Sequence, residues 1–286
     1  MSPPTADAKE TQEGHIGSLT VEETHRLQET WIHLLRLCDV DINTANTNLP
    51  PDRTSEWREK FLTVQPHPHH HPNAAGNTAA PKPITPSVFR SLIWGLFLSD
   101  HPDVMVLRYL RARKWDVEKG LGMLLSALHW RHEQDLEEIV RRGESVALSP
   151  TSTEDDKNFI KQYESGKAFV SGKDKEGRPV FIIKVRLHNP KLQNPECMER
   201  FVLHNIETVR SLVRIPSAPG GEKACLVFDL TGFGLKNMDF HVVKFLVGVF
   251  EARYPEYLGT VLVHNAPWVF WGMFYLCFYM VITMAC

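Results

Sequence analysis

The chain has 286 residues, 43% of them hydrophobic and 23% charged, which suits one substantial core with appendages. Thirty-two Lys and Arg against 34 Asp and Glu leave a net charge of −2. No global basic field therefore points to nucleic acid, and any phosphate or membrane contact must come from local clusters. Five cysteines, odd in number and with no CxxC pair, read as buried thiols in a reducing compartment rather than a disulfide framework. The polar N-terminus lacks the apolar stretch of a secretory signal.

Residues 1–18 read as disordered. Thr20 and Glu23 have capping-box spacing, and Leu27, Trp31, Leu34, Leu35 and Cys38 follow on one face, which predicts an amphipathic helix within 19–40. Residues 41–84 read as a Pro- and His-rich linker with a short helix near 56–62. A helical domain is expected over 85–145, capped by Thr85 and opened by Pro86, with Leu92, Ile93 and Leu96 on one face and Leu121, Leu124 and Leu128 on another. The hydrophobic period then shortens. Segments 168–171, 179–185, 224–230 and 260–266 read as strands. Asn194-Pro195 opens one helix, and 242–250 forms a second that Tyr254-Pro255 ends. Strand, helix, strand, helix, strand with short connections predicts right-handed crossovers and a mostly parallel sheet. The fold class is α/β, with a helical N-terminal subdomain and a ligand near the carboxyl ends of the strands.

The motifs of nucleotide enzymes, α/β hydrolases and zinc peptidases are missing: there is no GxGxxG after a strand, no GxxxxGK[ST], no GxSxG and no HExxH. The stretch from Pro219 to Lys223 precedes a strand and reads as a turn. His129, His132 and Glu133 have metal-ligand spacing, but no fourth ligand stands near, so a solvated stretch beside Arg131 and Asp135 is expected. The His67–His71 run reads as a disordered tract, and no metal or cofactor is expected. Arg108, Arg111, Arg113 and Lys114 form either a solvated helical edge balanced by Asp116 and Glu118 or a phosphate site. Asp229 is either an acid poised for catalysis or the cap of the Thr231-Gly232 turn. Large apolar side chains over 242–250 and 261–271 exceed what one packed face needs, a surplus that a lipid tunnel would use.

Four ordered motifs, LRYLRARKWDVEKG, DKEGRPVFIIKVRLHNP, LVFDLTGFGLKNMD and FEARYPEYLGTVLVHNAPWVFWG, resemble the CRAL-TRIO family over about residues 85–272, most of all its fungal phosphatidylinositol-transfer branch. The resemblance implies a helical N-terminal domain, a sheet flooring a hydrophobic pocket, a gating helix, and lipid exchange without chemistry on the lipid. It implies headgroup contacts at Arg113, Lys114 and Glu256; the family's next basic residue is Tyr257 here. Positions that carry hydroxyls in phosphatidylcholine binders look like Ala224 and Leu226. The pocket is expected to be lined by Phe228, Leu230, Phe233, Phe245, Val249, Val261, Val263 and Phe270, within a lipid-binding domain over 155–286.

The expected activity is therefore non-enzymatic transfer of a phospholipid, phosphatidylinositol first, between membranes. The protein is expected to be a cytoplasmic monomer that touches membrane surfaces transiently and peripherally, with no nucleic-acid partner. The alternative is a lipid-sensing or protein-interaction module without transfer activity. From Asn265 to Cys286 no charged side chain occurs, and the family pattern stops abruptly after Gly272. That ending reads first as a truncated or mispredicted terminus, with a tail anchor and an apolar helix filling the pocket as the alternatives.

Overall fold

The computed structural model describes residues 13–42, 49–62, 84–97, 100–143, 145, 153–213 and 221–266. Residues 1–12 of the disorder expected over 1–18, most of the linker, the His67–His71 run, Pro219-Gly220, Phe270 and the uncharged ending after Ala266 lie outside the described residues. Residues 13–18 correct that expectation: they form turns, with Ser18 N–H donating to the His15 carbonyl at 3.0 Å and the Gly14 carbonyl held by Arg111.

Helix α1 (Val21–Leu37) opens on the expected capping box: Glu23 N–H donates to Thr20 Oγ1 at 3.2 Å and Thr20 N–H to Glu23 Oε2 at 2.8 Å. Leu27, Leu34 and Leu37 are buried, and Trp31 Nε1 donates to Asp103 Oδ1 at 2.7 Å. The short α2 (Thr54–Trp57) passes into a π-helical turn over Arg58–Leu62 and buries Trp57. Helices α3 (Pro86–Phe97), α4 (Pro102–Ala112), α5 (Val117–Glu133) and α6 (Leu136–Arg142) complete the helical half. Their apolar stripes close on one core, in which Leu107, Leu110, Leu121, Leu125 and Leu128 are fully buried.

Helix α7 (Glu154–Glu164), capped by Thr153, leads into the sheet. Strands β1 (Ala168–Lys173) and β2 (Pro179–Lys184) form an antiparallel hairpin; its turn is fixed by Asp174 Oδ1, which accepts from Glu176 and Arg178 N–H at 2.9 Å each, and by Gly177 at φ 81°. Helix α8 (Pro195–Leu212), capped by Asn194, carries the chain to β3 (Ala224–Asp229), and α9 (Phe240–Ala252), capped by Asp239, to β4 (Leu258–His264). The sheet order is β1-β2-β3-β4, with the last three strands parallel.

A polar seam joins the two halves. Arg108, 1% exposed, donates to the carbonyls of Glu222 at 2.6 Å and Glu256 at 3.0 Å, and its guanidinium lies 4.0 Å from the Tyr257 ring centre. Arg111 donates to Glu256 Oε2 at 2.6 Å, Glu222 Oε2 at 3.2 Å and the Gly14 carbonyl at 3.0 Å. This corrects two readings of the basic set. Its acidic partners are Glu222 and Glu256, across the seam, rather than Asp116 and Glu118. The helix also ends before Lys114, which with Trp115 takes positive φ (52° and 63°), while Asp116 caps α5. Further along the seam, Glu207 Oε1 accepts from Arg131 at 2.8 Å and from Tyr254 Oη at 2.5 Å, and Arg210 donates to the Leu96 carbonyl at 2.8 Å. Burial alone would raise the Glu207 carboxyl, but Arg131 and Arg210 outweigh it and hold it at about 2.

The His129 stretch is also corrected. His129 is buried on α5, with Nε2 3.5 Å from Glu133 Oε1, because that helix turns this face toward the core rather than to solvent. No cluster of residues that could hold a metal ion occurs among the described residues.

Candidate functional site

In a parallel pair, residues in register point to the same side of the sheet. Phe181 pairs with Leu226 and Ile183 with Phe228, and these four side chains build an apolar floor. Helix α8 supplies one wall through Phe201, Val202, Ile206 and Val209, and α9 the roof through Val242, Val243, Leu246 and Phe250. Between them lies a cavity of about 200 Å³ whose surface is almost wholly apolar.

The roof is where sequence and burial disagree most. Helix α9 reads FHVVKFLVGVF through most of its length, yet only Val249 is buried. A helix apolar on nearly every side normally sits inside a core. Here most of its side chains are only partly buried, and Phe240, which lines the cavity, is 59% exposed. No helix among the described residues is long and apolar enough to cross a membrane.

Polar groups gather at the carboxyl ends of the strands. Lys167, just before β1, and His188, after β2, both line the cavity, as does Asp239 at the start of α9. His188 Nε2 lies 2.9 Å from Asp239 Oδ2. Burial lowers the pKa of His188 against the opposing pull of Asp239, and burial pushes Lys167 down to about 8. At the opposite end, Arg210 and Tyr257 reach the wall from the seam. Asp229 Oδ1 accepts from Thr231 N–H at 2.9 Å, so this carboxylate caps a turn.

The residues expected from sequence are distributed unevenly. Phe228, Leu230 and Phe233 line the cavity. Phe245 packs toward the helical core beside Val249, which is buried in it. Register places Val261 opposite Leu226 and Val263 opposite Phe228, on the floor side of the sheet, but outside the cavity wall; Val263 is half-exposed. Glu256 is engaged by Arg111, Arg113 donates to the Ala112 carbonyl at 3.0 Å, and Lys114 lines a separate polar cleft with Arg26, His33 and Arg53. The expected headgroup trio is therefore split between the seam and that cleft. Sequence reasoning passed over Lys167, His188 and Asp239. Only the charge of Lys167 directly before an apolar strand could have pointed to it.

The CRAL/TRIO domain model matches residues 163–281 and the CRAL/TRIO N-terminal domain model residues 80–126. The first match runs past Gly272. A CRAL-TRIO domain-containing protein of Schizosaccharomyces pombe is 40% identical over 189 residues, covering 66% of this chain and 40% of that protein. The phosphatidylinositol transfer protein CSR1 of Eremothecium gossypii is 31% identical over 299 residues, covering 90% of this chain and 67% of that protein. This chain thus spans two fifths of the first relative's length and two thirds of the second's. The crystal structure of Sfh5 shares the fold, with a TM-score of 0.51 and 14% identity over 88% of this chain and 76% of that one. With both domain models matched in order and an apolar cavity under α8 and α9, the chain belongs to the CRAL/TRIO family of lipid-binding and lipid-transfer proteins.

Proposed function

We propose that this protein takes a single phospholipid, phosphatidylinositol first, into the cavity between α8, α9 and the sheet and passes it between membranes without chemistry on the lipid. The observation that carries the reading is the roof helix: α9 is apolar on most sides yet buries only Val249. Each acyl methylene moved from water to such a wall contributes about 0.8 kcal/mol, so a dry tunnel retains a lipid with no covalent step. The similar CSR1 protein of Eremothecium gossypii is named a phosphatidylinositol transfer protein, which favours that headgroup. Leu235 and Phe240 protrude beside the cavity, with Lys236 next to them, and suit transient, peripheral contact with an anionic membrane from the cytoplasmic side. The protein works as a monomer in this reading.

Arg113, Lys114 and Glu256 are proposed as the headgroup contacts, with Glu256 released from Arg111 when the lipid binds. The test is transfer of labelled phosphatidylinositol between vesicles by the purified chain, together with mass spectrometry of lipid extracted from it. Replacing Arg113 and Lys114 together by Ala should lower phosphatidylinositol transfer about tenfold, the worth of one lost charge-assisted contact. Unchanged transfer removes the headgroup assignment. A chain that carries no lipid and transfers none is instead a module that senses or interacts without transport.

A further inference from the structure

Lys167 is 3% exposed and forms no ion pair among the described residues. A buried ammonium without a carboxylate is costly, because buried charges are normally paired. Its position is fixed from several sides. The Lys167 carbonyl accepts from Lys184 N–H at 2.7 Å, tying the residue to β2. Nζ donates to Gln162 Oε1 on α7 at 2.5 Å and to Gln193 Oε1 at 3.1 Å. An ammonium has three N–H donors. The third meets weak acceptors, Met198 Sδ at 3.3 Å and His188 Nδ1 at 3.4 Å, the latter already approached by Gln193 Nε2 at 2.8 Å, and the Phe201 ring centre stands 5.2 Å away. Asp239 attracts it but forms no ion pair with it. That carboxylate receives His188 Nε2 at 2.9 Å on one oxygen and Val242 N–H at 3.1 Å on the other. Lys167 and Met198 both line the cavity, so the spare donor stands in the wall of the same space that the roof helix leaves open.

We propose that the Lys167 end of the cavity is an anion subsite, which selects amphipathic ligands bearing a phosphate or carboxylate oxygen over neutral ligands of the same chain length. The subsite rests on the cavity holding a lipid at all. An anionic oxygen here replaces the thioether contact with a charge-assisted hydrogen bond and cancels the uncompensated charge in one step. The Gln193–His188–Asp239 chain keeps the ammonium aimed and prevents the site from supplying its own anion.

The experiment compares matched probes on the full chain by displacement of a neutral fluorescent acyl ligand. Hexadecanoate against hexadecan-1-ol tests the carboxylate source, and phosphatidylglycerol against diacylglycerol of the same acyl chains tests the phosphate source. At neutral pH the wild type should prefer the anionic member about tenfold in one arm or both, and Lys167→Met should bring that ratio toward one. The arm that shows the preference identifies the source. A ratio near one in the wild type, or a ratio that Lys167→Met leaves unchanged, overturns the subsite while leaving the container intact. Failure of all four probes to bind overturns the container as well.

A second measurement uses no substitution. The titratable groups facing Lys167 are His188 beyond β2, Cys197 on α8 and Asp239 at the start of α9. Above about pH 8 the free protein loses the Lys167 proton, so the phosphatidylglycerol preference should shrink steadily there, the diester staying ionised throughout. A preference constant through about pH 10, near the ordinary lysine value, overturns the assignment.

Discussion

The helical half and the α/β half use similar apolar material for opposite ends. In the first, α3, α4 and α5 interlock until Leu107, Leu110, Leu121 and Leu125 keep no exposed surface. In the second, the local core is a small cluster of Phe159, Cys197, Met198, Phe201 and Val202, and Val242, Val243, Leu246 and Phe250 of α9 line a cavity. Interiors normally pack like organic crystals with few voids. The α/β half departs from that rule between the sheet, α8 and α9, and the helical half clamps the far ends of β3 and β4 through Arg108. A rigid partner lets the other half keep an opening.

The sharpest way to break this comparison is to cut the seam where Glu207 holds it. Glu207→Gln leaves Arg131 and Arg210 buried without their shared carboxylate and should lower the unfolding free energy by about 3–5 kcal/mol in urea titration. A loss below about 1 kcal/mol, the scale of a surface pair, would mean the seam does not hold the halves together. Next in size is a matched pair of truncations. Leu125→Ala in the closed core should cost about 2–5 kcal/mol. Leu246→Ala in the roof should cost less, about 1 kcal/mol, in the lipid-free protein, since Leu246 is only partly buried and one side of it lines the cavity, and should reduce the lipid that copurifies. Equal costs would erase the distinction between the halves.

The smallest effect is electrostatic. Lys167 has a folded-state pKa of about 8 against an ordinary 10.5, so between those values the unfolded chain binds the extra proton. Unfolding free energy should therefore rise with pH through that window in the wild type relative to Lys167→Met. A difference between the two that stays flat from pH 8 to 10.5 would place the ammonium in contact with water.

What was legible from sequence follows from the range of each interaction. Thr20–Glu23, Asn194-Pro195 and the apolar strand at 179–185 are local signals, and each forms the expected element, the strand ending one residue early at Lys184. Asp239 is also local as a cap, but its bond to His188 spans 51 positions and has no signature in either segment. The basic set was misjudged for the same reason: Glu222 lies 111 positions from Arg111, whereas Asp116 was close enough to suggest a pair. The pocket was legible as excess apolar content over 242–250, but which side chains face it depends on helix rotation. Phe245 and Val249 turn to the helical core, Leu246 lines the cavity, and Phe250 touches both.

The seam has a consequence for how the molecule comes apart. Inheritance delivers two modules, matched over residues 80–126 and 163–281. Thermodynamics sees one, because the guanidinium of Arg108 on the first finds its acceptors in the carbonyls of Glu222 and Glu256 on the second. Severing the backbone between Gly143 and Thr153 would strand ionised groups in both fragments, so heat should melt the two as a single cooperative unit and neither should outlive its counterpart.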